Sequence, residues 1–128
     1  MKAKFDACLS GSNPNNHILK ETEQMTPTIG RIVHYRLGPQ DIEAINRRRA
    51  DARAKMDWHR ENKTGAQVHV GNEVREGDTY PLVITRVHGD GPDAYVNGQV
   101  MLDGNDLYWA TSVKVGEGPR TYSWPNRQ

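Results

Sequence analysis

The sequence predicts an α+β fold: a curved antiparallel sheet or small β-barrel with one inserted amphipathic helix. Three observations carry that expectation. Short stretches rich in β-branched and aromatic residues occupy 28–37 and recur from residue 80 onward, each bounded by Gly, Pro, Asn or Asp. Only one stretch, 39–61, carries apolar residues at helical spacing. Turn-forming residues crowd the second half, where Asn97-Gly98 and Asp103-Gly104-Asn105-Asp106 are spaced to reverse the chain twice.

Residues 1–24 read as a flexible N-terminal arm, because "SGSNPNN" is loop composition and only Ile18 and Leu19 bring apolar character beside it. The same segment also fits a start assigned too far upstream, or a strand added to a partner. A single ligand-binding domain is expected over residues 25–128. Its first strand covers 28–37, with Arg31, Val33, Tyr35 and Leu37 on one side and Ile32, His34 and Arg36 on the other. Gly38-Pro39 ends it, and Pro39 suits the first turn of a helix, where a missing N–H costs nothing.

The helix follows over 39–61. Ile42, Ile45, Ala52 and Met56 form one narrow apolar stripe, which suits docking along a sheet rim or a second subunit. Asp41 and Glu43 lie in its first turn and Arg60 in its last, as the helix dipole favours. Gly65 is the expected stop. Beyond it come a short strand at 66–71, a Gly77-Asp78 turn, a strand at 80–88 and two more at 94–102 and 107–115. In the last of these, Leu107, Trp109, Thr111, Val113 and Val115 share a face opposite Tyr108, Ala110, Ser112 and Lys114.

Composition narrows the function classes. Hydrophobic residues make up 35 % of 128 residues, so the core is thin and a subunit interface is a natural source of further burial. Lys plus Arg is 17 against 16 for Asp plus Glu, which argues against a DNA- or RNA-coating protein, since those carry a clear basic footprint. Cys8 stands alone and forms no disulfide within the chain. No apolar run approaches the roughly 18 residues of a membrane span, and no secretory signal follows Met1, so a soluble, cytosolic protein is expected.

Arg47, Arg48 and Arg49, with Arg53 one turn on, are the densest positive charge. Consecutive helical residues lie about 100° apart, so the three cannot all face one ligand. One or two of them can fork onto phosphate oxygens, or the run can be a solvated face partnered by Asp51 and Asp57. Asn97, Gln99, Asp103, Asn105 and Asp106 supply donors and acceptors suited to ribose or a base edge. Tyr95, Tyr108, Trp109, Tyr122 and Trp124 supply faces for stacking. The plainer reading is that these residues make turns and fill the core. Gly116, Gly118 and Arg120 form a loop able to bring backbone N–H groups and a cation to an anion. His17, His34, His59, His69 and His88 are scattered, no catalytic grouping is visible, and no enzyme activity, metal or cofactor is expected.

"MTPTIGRIVHY", "INRRR", "GAQVHVGN", "VNGQVMLDGND" and "GEGPRTYSWP", in that order over about residues 25 to 125, resemble a family of small bacteriophage proteins. The set is similar to the phage sponge proteins that defeat the Thoeris defence system, the first type of Thoeris anti-defence protein. That resemblance implies a protein of the infected host's cytoplasm that sequesters cyclic ADP-ribose isomers without cleaving them. It also implies separate pockets for cyclic oligonucleotides and assembly into dimers or larger homo-oligomers. On this expectation Arg47 or Arg48 would meet phosphates, together with the backbone near Gly65 and Ala66. A second pocket on the sheet would use Asn97, Gln99, Asn105 and Arg120 for ribose and pyrophosphate, with Trp109 or Tyr122 for stacking. A phage structural or accessory protein and a phosphodiesterase acting on such signals fit the same residues.

Overall fold

The computed structural model describes residues 25–66 and 69–126. The arm expected at 1–24 lies outside them. The described chain runs β1 (Ile32–Arg36), α1 (Pro39–Ala54), α2 (Met56–Asn62), β2 (Thr79–His88), β3 (Tyr95–Met101), β4 (Leu107–Val115) and β5 (Thr121–Ser123). The five strands close into a barrel in sequence order. Every neighbouring pair is antiparallel except β4 and β5, which run parallel. This is the small barrel with an inserted helix that the patterning implies.

β1 alternates as its sequence dictates: Val33 and Tyr35 point inward while Ile32, His34 and Arg36 face out. Leu82 and Ile84 of β2, Val96 and Val100 of β3, Ala110 and Val113 of β4, and Tyr122 of β5 complete the interior. Leu37, Ile45, Val74 and Leu102 extend it toward α1. Two breaks in register shape the barrel. Thr85 is the extra residue of β2 between the pairs Ile84↔Gly98 and Arg86↔Asn97, and β4 carries an extra residue between Ala110 and Val113. Bulges of this kind increase twist and let a short sheet curl closed. The second one, with Ser112 at φ 53, ends the simple alternation expected along β4, so Ala110 and Val113 both point inward although three residues apart.

Asn97-Gly98 is not a turn. It lies inside β3, with Gly98 paired to Ile84 on one side and Ala110 on the other. Asn97 sits opposite the β4 bulge, where its Oδ1 accepts the Ser112 N–H at 2.8 Å. The Asp103–Asp106 turn does reverse the chain, between β3 and β4.

The helix departs from expectation in two ways. It breaks at Lys55 into two pieces, and α2 ends on left-handed Lys63, two residues before Gly65. Its buried side is also broader than the expected stripe: Ile42 and Ile45 pack on the core as expected, but the fully docked residues are Asp41, Ile45 and Arg49, four residues apart, while Ala52 is exposed. A purely apolar stripe at this spacing could not reveal that two of the three docking residues are charged. The strand expected over 66–71 is absent from its described residues Ala66, His69, Val70 and Gly71, whose chain is irregular.

Asp41 is fully buried and anchors the start of α1. Its Oδ2 accepts the Tyr35 hydroxyl at 2.6 Å and the Gly38 N–H at 2.9 Å, and its Oδ1 accepts the Tyr108 hydroxyl at 2.7 Å. Arg120 Nε lies 3.8 Å from Oδ1. Burial, then the hydrogen bond to Asp41, pushes the Tyr108 hydroxyl up to about 12 and raises Tyr35 further. Unfolded, both would ionise near an ordinary value of about 10. A raised folded value means that the stability is fully present below pH about 10 and is lost as pH rises toward 12. Alkaline titration should therefore show the tyrosinate absorbance of Tyr35 and Tyr108 appearing together with the loss of the circular dichroism of the fold. Ionisation of every tyrosine near pH 10 in a still-folded protein would contradict this.

Candidate functional site: a cation-lined cleft beside the β3–β4 turn

α1 carries Arg48 and Arg49 on adjacent positions, and the β3–β4 turn brings Asp106 against both. Arg48 Nη2 donates to Asp106 Oδ2 at 2.7 Å and to the Leu107 carbonyl at 3.0 Å. Arg49 Nη2 donates to Asp106 Oδ1 at 3.0 Å, and Arg49 Nη1 donates to the Asn72 carbonyl. The two arginines differ in setting: the Arg48 side chain is 45 % exposed and that of Arg49 only 3 %. Burial works against the ionised Asp106 carboxyl, but the hydrogen bonds from Arg49 and Arg48 outweigh it and hold the group below the usual carboxylate range.

Close backbone packing makes this junction possible. Gly71 has its Cα against Gly104, and a Cβ on Gly71 would come within 2.7 Å of Arg49 Nη2. Asn72 N–H donates to the Asp103 carbonyl at 3.2 Å, and its side chain donates to Asp103 Oδ2 at 2.6 Å. The segment after α2 is thus stitched to the β3–β4 turn, with Arg49 threaded between them.

Beside this junction lies a cleft of about 170 Å³, bordered by Arg48 and Arg49 of α1, Met56 and His59 of α2, Ala66 and His69, and Asn105 and Asp106 of the turn. Among the described residues, the only carboxylate on its wall is Asp106, against two guanidinium groups and two imidazoles. Arg49 Nε is buried with no hydrogen-bond partner among the described residues. Trp58, 54 % exposed, stands edge-to-face with His59 at 5.1 Å between ring centres. A cleft of this kind attracts an anion and has an aromatic beside it.

A larger groove of about 670 Å³ runs outside β1 and β5, past His34, Arg36, Asp93, Glu117 and Trp124. Its ionisable groups are of both signs, so it offers no net attraction for a polyanion, and of the residues that the sequence offered for binding only Gly116 and Trp124 border it among the described residues. The small cleft carries the better case.

The ten nominated residues do not gather in one place. Arg48, Ala66 and Asn105 border the cleft, with Gly65 adjoining Ala66. Arg47 faces away and pairs with Glu43 at 2.9 Å. Gln99 and Trp109 are cross-strand partners on the outer sheet face. Asn97 serves the β4 bulge. Arg120 holds the start of α1, donating to Gln40 Oε1 at 2.9 Å beside Asp41. Tyr122 is wholly buried in the barrel and offers no open face for a base. Arg49 and Asp106, each part of a candidate cluster in the sequence, also border the cleft, and so do His59 and His69, which the sequence left scattered. For Arg49 and Asp106 the signal was present, as an arginine four residues after Ile45 and an acid in a polar turn.

The fold and site define a small five-stranded β-barrel with a helical insertion that builds a cationic cleft against a strand turn. Comparison with protein-family models, curated proteins and solved structures finds no match for this chain. Among the described residues, no helix is long and apolar enough to cross a membrane, and no group of three or more His, Cys, Asp or Glu is placed to hold a metal ion.

Proposed function

We propose that this protein is a phage sponge that binds cyclic nucleotide signals, cyclic ADP-ribose isomers or cyclic oligonucleotides, in the cytoplasm of the infected bacterium and holds them without cleaving them. The observation that carries this reading is the arginine pair Arg48–Arg49 sharing one carboxylate at a cleft completed by Asn105 and Ala66. Guanidinium groups fork onto phosphate oxygens better than ammonium groups do. Asn105 supplies both donor and acceptor for a ribose hydroxyl, and the exposed Trp58 supplies a stacking face. A sponge needs affinity alone, and nanomolar binding corresponds to about 12 kcal/mol.

The test is calorimetric titration with cyclic ADP-ribose isomers and cyclic oligonucleotides, followed by heat denaturation and chromatography of the released ligand. Tight binding with the ligand recovered intact is expected. An altered product would make the protein a phosphodiesterase, and no heat with any of these ligands would remove the sponge reading.

Self-assembly belongs to the same proposal. Ile32, Val83, Gln99 and Trp109 are register partners across four strands on the outside of the barrel, and Met101 pairs with Leu107 beside them. Ile32, Trp109, Met101 and Leu107 are about half exposed or more. Exposed apolar side chains gathered on one sheet face are the material of an interaction surface. Trp109→Glu is expected to leave the melting temperature within a few degrees of the parent and to shift the protein toward monomer in sedimentation velocity. A parent that is monomeric at high concentration would refute this part.

A further inference from the structure

We infer that Asp106 is the cleft's resident counter-anion, and that a single phosphate group of the ligand takes its place on Arg48 while Arg49 keeps Asp106 in position. This deepens the nucleotide reading above and rests on it for the identity of the ligand. Each carboxylate oxygen of Asp106 has its own arginine: Oδ2 faces Arg48 and Oδ1 faces Arg49. The two halves are unequal. The Arg49 half is sealed, with that guanidinium also fixed to the Asn72 carbonyl. The Arg48 half is nearly half exposed, and its second contact is only a backbone carbonyl. An incoming anion can therefore reach Arg48 without opening the buried pair.

Size and charge select the ligand. A space of about 170 Å³ is too small for a nucleotide, since pockets that enclose drug-sized molecules span about 300–1,000 Å³. It accommodates one phosphate group, so the sugar and base must remain outside, at the rim of the cleft. Among the described residues, two guanidinium groups against one carboxylate leave the wall with an excess of one positive charge. Asp106 keeps the arginines apart in charge terms when no ligand is bound, and by the same token it competes with the ligand. Like charges brought this close in a partly buried site repel strongly.

The consequence is opposite to that of an ordinary structural ion pair. Asp106→Asn keeps the shape and one acceptor oxygen but removes the competing charge. It should bind AMP and inorganic phosphate about tenfold or more tightly than the parent protein, whereas Arg48→Gln should bind them about tenfold more weakly. Adenosine, which lacks the phosphate, should respond to neither substitution. Affinities are read by calorimetry and by phosphorus NMR titration at fixed ionic strength, with circular dichroism confirming the fold of each variant.

An Asp106→Asn protein that is folded yet binds phosphate no better than the parent overturns the proposal, and so does an Arg48→Gln protein with unchanged affinity. If Asp106→Asn does not fold, Arg48→Gln decides alone, because its exposed side chain can be replaced without opening the Arg49 pair. The two readings fail separately. Cyclic nucleotides that bind but ignore both substitutions leave the sponge standing and overturn the counter-anion role. AMP binding that responds to both substitutions, with no cyclic nucleotide bound, supports the counter-anion role and ends the sponge reading.

Discussion

Asp41→Ala is expected to destabilise the protein by about 3–5 kcal/mol, because it removes a fully buried charged acceptor from three hydrogen-bond donors at once. Tyr35 is fully buried, so its hydroxyl would lose its 2.6 Å partner and gain no water in exchange. Tyr108 would lose its 2.7 Å bond from β4, and the Gly38 N–H would lose the acceptor that caps α1. Arg120 would lose the carboxylate beside it and keep its bond to Gln40. The loss therefore crosses β1, α1, β4 and the turn before β5 together. Asp41→Asn should cost less, about 1–3 kcal/mol, since its carbonyl oxygen still accepts and a tyrosine hydroxyl can turn to accept from its amide. Urea unfolding followed by circular dichroism gives both values. A cost below about 1 kcal/mol for Asp41→Ala would mean that this junction does not hold the helix to the barrel.

Gly98→Ala is the second large effect, expected at about 2–3 kcal/mol, with Gly98→Val preventing folding. A Cβ at this position would lie 2.6 Å from the Val83 carbonyl oxygen and 2.7 Å from Leu82 Cγ. Leu82 is a fully buried core residue, so its side chain has no free space to enter. The Val83 oxygen is backbone in the middle of the longest strand and cannot swing away without breaking the β2–β3 ladder. Thermal and urea unfolding of Gly98→Ala would measure the penalty, and a change within about 0.5 kcal/mol would show that the barrel relaxes there freely.

Gly98 also shows why part of the fold was illegible. Asn-Gly is a strong hairpin signal because both residues accept positive φ. Here the glycine serves close approach of β2 to β3, and the asparagine serves a bulge on β4. Both needs arise from neighbours distant in sequence, and nothing local to residues 97 and 98 distinguishes them from a turn. The helix stripe was right for Ile42 and Ile45 and incomplete for a related reason. Ile45 was legible as a docking residue, but Asp41 and Arg49 dock because Tyr35, Tyr108, Asn72 and Asp106 are waiting for them. Buried charge is costly without partners, so its position cannot be deduced until the partners are in place.

The candidate site was legible in outline. An arginine run on a helix and a polar turn after a strand were both visible as anion-binding material, and Arg48 and Asn105 do border one cleft. Which arginine turns toward it, and that Asp106 pairs with both at its wall, depended on how α1 docks against the β3–β4 turn.

By itself the sequence determined the elements: the alternation of Val33, Tyr35 and Leu37, the Gly38-Pro39 boundary, the long helical spacing and the strands after residue 79. Those follow from periodicity and backbone preference, which act over a few neighbouring residues. Only the tertiary structure decided the barrel closure, the two bulges, the buried Asp41 and the Arg48–Asp106–Arg49 cleft. These are contacts across spans as long as the 67 residues between Asp41 and Tyr108, where specificity comes from packing and charge pairing that no local pattern encodes.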